Sequence, residues 1–234
     1  MNRADAGEGR GLGESESVGF VLAGGQSSRM GADKALVQLA GQPLIHHALS
    51  TLREAGLPAS IAGGSTALQA FASLVQDSVT GLGPLGGICT ALRATSARLV
   101  AFLPVDLPLL PPSLIGILLN HARTTDRPMT LTSVKGFTQT FPVVLGRAVL
   151  PELEKSLKAG HGGCLSAFEA AAAKLGEPMS LLSVEGLVQS GQASHPLGLP
   201  AARWFLNVNS LDGLLQAEEY LLDSIRVSCF HGHV

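Results

Sequence analysis

Val18-Gly19-Phe20-Val21-Leu22-Ala23-Gly24-Gly25-Gln26-Ser27-Ser28-Arg29-Met30-Gly31-Ala32-Asp33-Lys34 is the stretch that decides how the chain reads. Its first five residues are an apolar run, and the run stops on glycines. That pattern matches a buried parallel strand ending at the mouth of a site. Gly24, Gly25 and Gly31 lack a Cβ, so the backbone can approach a ligand closely and turn its N–H groups toward an anion. Arg29 adds a bidentate donor and Lys34 a compact point charge, the two cation types that serve polyphosphates. An ordinary strand-to-helix turn with solvated basic residues explains glycines plus one cation. It does not explain glycines, Arg29, Asp33 and Lys34 together. The loop also differs from the Walker A pattern, because no Gly-Lys-Ser/Thr follows four variable residues.

Downstream, Pro43 can open a helix running to about Glu54, with Leu44, Ile45, Ala48, Leu49 and Leu52 spaced for burial. His46 and His47 lie within it, but adjacent helical residues point about 100° apart, so packing or surface roles fit better than a shared ligand. Ser60-Ile61-Ala62 reads as a weak second strand ending at Gly63-Gly64, and residues 71–77 carry another apolar stretch into Asp77. Gly81-Leu82-Gly83-Pro84-Leu85-Gly86 opens a helix through about Ala94 and is a literal G-x-G-x-x-G. A dinucleotide-binding dehydrogenase must therefore be weighed. The poor strand before the glycines, the missing N–H of Pro84 and the better phosphate loop at the first strand count against it.

Arg98 to Pro108 is the clearest interior strand, an apolar run that ends in Asp106. Open α/β sheets put their chemistry at the carboxyl ends of strands. A carboxylate there suits a divalent cation, with a turn cap as the bland alternative. Further helices are expected over 113–122, 147–158 and 165–175, and strands over 128–134, 138–145 and within 177–188. Residues 189–202, rich in Gly, Ser and Pro, read as a flexible loop. Arg203 to Ser210 reads as a last strand with Asn207 and Asn209 on one face, leading into an amphipathic helix capped by Ser210. His161-Gly162-Gly163-Cys164 and Cys229-Phe230-His231-Gly232-His233 contain metal-like letters but read as a linker and a frayed end. Strands alternating with helices predict an α/β fold, a three-layer α/β/α sandwich around a Rossmann-like, mostly parallel sheet. The expected organisation is a tail over 1–17, one domain over 18–225 and a tail over 226–234.

Composition narrows the function. The chain has 234 residues, 46% of them hydrophobic, enough for one substantial core. A formal net charge of -2 gives no basic field, so a small substrate is expected rather than nucleic acid. Three cysteines without paired spacing fit a reducing cytoplasm, and no apolar run approaches the roughly 18 residues a membrane helix needs.

Leu22 to Leu36 resembles the signature loop of the molybdenum cofactor guanylyltransferases, which belong to the nucleotidyltransferases that use an NTP and release pyrophosphate. Four motifs in family order carry the likeness across about residues 18–220. It implies the nucleotide-diphospho-sugar transferase fold and Mg²⁺-dependent transfer of GMP from GTP to the phosphate of molybdopterin. A molybdoenzyme or cofactor-carrier protein would receive the product. By the resemblance, Leu22, Ala23, Gly24, Gly25, Lys34, Asp77 and Asp106 contact the nucleotide, with Asp77 reading the guanine edge. Arg29, Lys34 and Asp106 are catalytic, Asp106-Leu107-Pro108 supplies the Mg²⁺ ligand, and Asn207 and Asn209 lie on the acceptor side beside Phe141-Pro142. Gly63, Gly64 and Ser65 replace the family's Asn-Arg pair, and Val105 replaces a Cys. The backbone amides of the two glycines are candidate substitutes for the missing Asn. Cytidylyl or sugar-phosphate transfer remains an alternative, as does a non-catalytic nucleotide-binding paralogue. Leu22-Ala23-Gly24-Gly25 leaves more room for a purine than the Ala-Ala-Gly of many cytidylyltransferases.

Overall fold

The computed structural model describes residues 15–24, 33–76, 82–160 and 163–230, with side chains through Leu222. Its centre is β1 (Ser17–Leu22), every residue of which is buried. The apolar run predicted there is therefore a fully covered strand, and it begins at Ser17, inside the stretch expected to be tail. Arg123 donates to the Ser17 hydroxyl at 3.1 Å. Arg98 pairs with Glu16 at 3.0 Å, so the strand is tied down ahead of its first apolar residue.

Beyond the loop, β2 (Gln38–Leu39) and β3 (Gln42–Pro43) make a small antiparallel hairpin around Ala40 and Gly41, both at positive φ. The chain then enters α1 (Leu44–Glu54), whose buried Leu44, Ile45, Ala48, Leu49 and Leu52 realise the predicted spacing. Here His47 meets the Leu39 carbonyl at 2.9 Å while His46 is exposed, the packing and surface roles expected of them. Next come β4 (Ala59–Ala62), β5 (Leu74–Val75), α2 (Gly83–Ala94) and β6 (Leu99–Pro104). Pro84 sits in the first turn of α2, where its missing N–H costs no intrahelical bond.

The second half runs α3 (Pro112–Thr125), β7 (Met129–Val134), β8 (Phe137–Gly146), α4 (Leu150–Lys158) and α5 (Cys164–Leu175). It ends with β9 (Ser180–Ser183), α6 (Val184–Gln189), α7 (Ala201–Trp204) and α8 (Leu211–Phe230). One seven-stranded sheet has the order β5-β4-β1-β6-β8-β7-β9. Within it β8 runs antiparallel to β6 and β7, and the other pairings are parallel. Strand alternation divides the core in two. Val18, Phe20, Leu22, Val100 and Phe102 face the layer of α2, α4 and α5. Val21, Leu99, Ala101 and Leu103 face α1, α3 and the C-terminal helices. The expected mostly parallel three-layer sandwich is the observed one.

Four local expectations change. The stretch 177–188 is a four-residue strand followed by α6, because the Ser183 hydroxyl accepts the Gly186 N–H and starts a helix. Arg203 and Trp204 lie in α7 rather than in a last strand, with Trp204 buried and its indole N–H donating to the Leu199 carbonyl at 2.8 Å. That bond, together with buried Ala193 and Leu199, anchors the segment expected to be a flexible loop. Finally, α8 stays helical to Phe230, past the expected start of a tail at 226.

At Gly19, β1 packs tightly against Leu52 of α1. A Cβ there would lie 3.0 Å from both terminal carbons of Leu52 and 3.3 Å from its Cβ. Gly19→Val should lower unfolding free energy by about 1–3 kcal/mol through overpacking, read as an earlier midpoint in urea denaturation with an unchanged m-value.

Candidate active site

Two neighbouring strands set the site. β1 and β6 pair in parallel with Leu22 opposite Pro104, so both chains leave the sheet at the same edge. Past that point the Val105 N–H still donates to the Leu22 carbonyl at 3.2 Å, carrying the pairing up to the doorstep of Asp106. On the other side, Ala23 donates to the Ala62 carbonyl at 3.1 Å. Asp106 thus sits at the carboxyl end of a central strand, the position read from the sequence, and packs at the rim rather than inside the core.

Lys34 arrives from the first loop. Asp33 caps a 3₁₀ turn over Lys34–Leu36, its Oδ1 accepting the Ala35 N–H at 3.1 Å, and fully buried Ala35 anchors the turn. From this root the Lys34 ammonium donates to Asp106 Oδ2 at 2.8 Å. It also donates to Asn209 Oδ1. Side-chain exposures of 19% and 21% for Lys34 and Asp106 keep the pair partly out of water, where charges interact more strongly than on an open surface. Three stretches far apart in sequence meet at one nitrogen.

Asn209 is brought there by the chain after α7. Residues 206–209 lie outside the sheet, held by the Val208 N–H donating to the Asp106 carbonyl at 2.9 Å. Val208 is buried while Asn207 and Asn209 are exposed, so the predicted alternation survives without the predicted strand. Ser210 caps α8 as expected, its hydroxyl accepting the Gly213 N–H at 3.2 Å. Of the other expected site residues, Leu22 is buried with its side chain in the core, leaving only its backbone at the rim, while Ala23 is partly buried and Gly24 exposed. Gly25, Arg29 and Asp77 lie outside the described residues. The Gly63 amide donates to the Val75 carbonyl at 2.9 Å, so it serves the sheet rather than a base. Sequence reasoning missed one contact here. Ser65 donates to Asp33 Oδ2 at 2.7 Å, and the only hint was a hydroxyl standing where the family has a larger polar pair.

The donor set suits a hard cation. Asp106 and Asn209 present a carboxylate and an amide oxygen to the same positive charge, the Lys34 ammonium, which stands in for such an ion. Among the described residues no group of three or more His, Cys, Asp or Glu side chains gathers to cage a metal. One carboxylate, with the remaining ligands left to substrate phosphates and water, is a donor set a hard divalent cation can use.

Residues 19–175 match the MobA-like NTP transferase domain. The chain belongs to that family. A protein of Haloferax mediterranei named "probable molybdenum cofactor guanylyltransferase" is 32% identical over 206 residues, covering 84% of this chain and 90% of the relative. The molybdenum cofactor guanylyltransferase of Xanthomonas euvesicatoria pv. vesicatoria is 42% identical over 103 residues, which span 44% of this chain and 53% of that protein. The solved molybdopterin-guanine dinucleotide biosynthesis protein A of Archaeoglobus fulgidus superposes with a TM-score of 0.71 at 20% identity, covering 88% of this chain and 99% of that one. At that identity the superposition speaks to the fold. As a MobA-like NTP transferase, the chain is a nucleotidyltransferase.

The segment that leads to Asn209 has a titratable support. His195 packs beside Trp204, with ring centroids 6.4 Å apart, and its Nδ1 accepts the Leu197 N–H at 3.1 Å. Burial holds the imidazole below its ordinary 6.5, partly opposed by a backbone hydrogen bond with Leu109. The neutral ring is the folded form, so its contribution is complete above about pH 6.5 and is lost as pH falls through the depressed folded value. Thermal midpoints measured from pH 7.5 down to pH 5 should therefore fall more steeply for the natural chain than for His195→Asn, which keeps an acceptor but does not titrate.

Proposed function

We propose that this chain transfers GMP from GTP to the phosphate of molybdopterin, releasing pyrophosphate. The observation that carries the reading is the convergence of Lys34, Asp106 and Asn209 on one point at the carboxyl edge of the sheet. A cation and two oxygen ligands meeting there suit a metal-bound triphosphate, and β1 ends at the same edge, where the chain enters its glycine-rich stretch at Gly24. The relatives named guanylyltransferases support GTP as the donor and molybdopterin as the acceptor.

In this mechanism Asp106 and the Asn209 amide oxygen would hold Mg²⁺, which would supply charge neutralisation to the triphosphate. Lys34 swings its ammonium from Asp106 and Asn209 toward the phosphates, where it offsets the charge that builds on the departing pyrophosphate. The 3₁₀ turn under Lys34 keeps the root of that side chain still during the movement. Arg29, the backbone of Ala23, Gly24 and Gly25, and Asp77 complete the nucleotide contacts, with Asp77 accepting from the guanine edge. Asn207 and Asn209, exposed on the same side of their segment, face the acceptor. Alignment for in-line attack and neutralisation of charge carry the rate, since such a transfer needs no covalent protein intermediate. The buried, unpaired thiols of Cys89 and Cys164 suit a reducing cytoplasm. Among the described residues no helix is long and apolar enough to cross a membrane.

Pyrophosphate release measured with each of the four NTPs, Mg²⁺ and molybdopterin tests the assignment. GTP should be the preferred donor. A preference for CTP would move the chain to cytidylyl transfer, and no release with any NTP would leave a nucleotide binder. Lys34→Ala and Asp106→Asn should each lower turnover on the order of 10²–10³-fold with an intact circular dichroism spectrum. Normal turnover in either variant would remove the role given to that residue.

A further inference from the structure

Ser65 stands at the start of a 3₁₀ turn over Thr66–Ala70, in the extended conformation of a capping residue. A serine there ordinarily accepts an N–H from its own turn. This one makes no side-chain cap, and the turn is closed by the Leu68 N–H donating to the Ser65 backbone carbonyl at 3.1 Å. The hydroxyl instead donates to Asp33 Oδ2 at 2.7 Å, across the gap between the loops that follow β4 and β1. The other oxygen of that carboxylate accepts the Ala35 N–H. Asp33 is thus held on both sides, once by the turn that carries Lys34 and once by the neighbouring loop.

The two loops are packed to make this reach. Gly64 lies at φ +92°, and a Cβ there would stand 2.6 Å from a Leu68 methyl and 3.3 Å from both the Cβ and carbonyl oxygen of Ala23. Glycine therefore lets the β4 loop close over Ala23, and the next residue delivers its hydroxyl to Asp33. We infer that Ser65 is a positioning residue for the nucleotide site, acting through Asp33 to fix the backbone from which Lys34 reaches the triphosphate. The inference rests on the nucleotide reading above.

The test is calorimetric titration of the full chain with GTP and Mg²⁺. Ser65→Ala should weaken GTP binding about three- to tenfold, the value of one hydrogen bond to a charged group in a partly exposed setting, with the thermal midpoint unchanged. Ser65→Thr, which keeps the hydroxyl, should restore the natural affinity. In a Lys34→Met background, Ser65→Ala should bring no further loss, because the residue through which Ser65 acts is already gone. Unchanged affinity in Ser65→Ala would overturn the inference. So would an equal loss in Ser65→Thr, or equal losses with and without Lys34, since both assign the effect to loop packing. Titrations with ATP, CTP and UTP separate the two readings. If another triphosphate binds better than GTP, the guanylyl assignment fails while the Ser65 comparison is still made with that nucleotide. No binding of any triphosphate by the natural chain would overturn both.

Discussion

The parallel pairing of β1 with β6 is the constraint on which the rest depends. Because Leu22 lies opposite Pro104, the ends of β1 and β6, and with them Ala23 and the Asp106 turn, are delivered to the same edge in adjacent lanes about 5 Å apart. Shifting either strand by one residue would turn Phe20 and Phe102, which now stack with centroids 6.1 Å apart, out of their shared core face. The packing that stabilises the sheet is therefore also what sets the distance between Lys34 and Asp106. Both faces of the central strands are covered, so the register is enforced from two sides at once.

The ion pair at this edge should be seen as a resting arrangement rather than as a source of stability. Partly exposed pairs contribute little to folding, because attraction is offset by lost hydration and side-chain freedom. Its value lies in pre-arrangement. An ammonium held between Asp106 and Asn209 keeps two oxygen ligands oriented toward a positive charge, and under the proposed function this limits the reorganisation needed when a metal-bound triphosphate arrives. The supports around it are backbone N–H groups: Val105 donates to the Leu22 carbonyl, Val208 to the Asp106 carbonyl and Ala35 to the Asp33 carboxylate.

The C-terminal third holds this edge from outside. Trp204, Val208 and Ala217 are buried against the layer that contains α1 and α3, and Ala40 of the small hairpin donates to Glu218 of α8 at 3.2 Å. The Ser113 hydroxyl donates to the Ser194 carbonyl at 2.6 Å, fastening the segment after α6 to the first turn of α3. These links explain how a stretch rich in Gly, Ser and Pro can still deliver Asn209 to a defined place. Composition reports local backbone freedom, whereas side chains such as Trp204 and Leu199 remove that freedom through contacts made elsewhere in the fold.

By itself the sequence determined the sheet class, the central strand and the strand-end carboxylate. These depend on short-range hydrophobic period and turn chemistry, which are written in consecutive residues. It also carried the alternation that turns Asn207 and Asn209 the same way, although it assigned them to a strand that the sheet does not contain. Only the tertiary structure decided that Lys34, Asp106 and Asn209 share one point, that Ser65 reaches Asp33, and that the Gly63 amide belongs to β5. Those facts depend on which strands become neighbours and in what register, a choice made by burying two faces of one sheet at once. No local pattern records it, because the residues concerned lie as many as 175 positions apart.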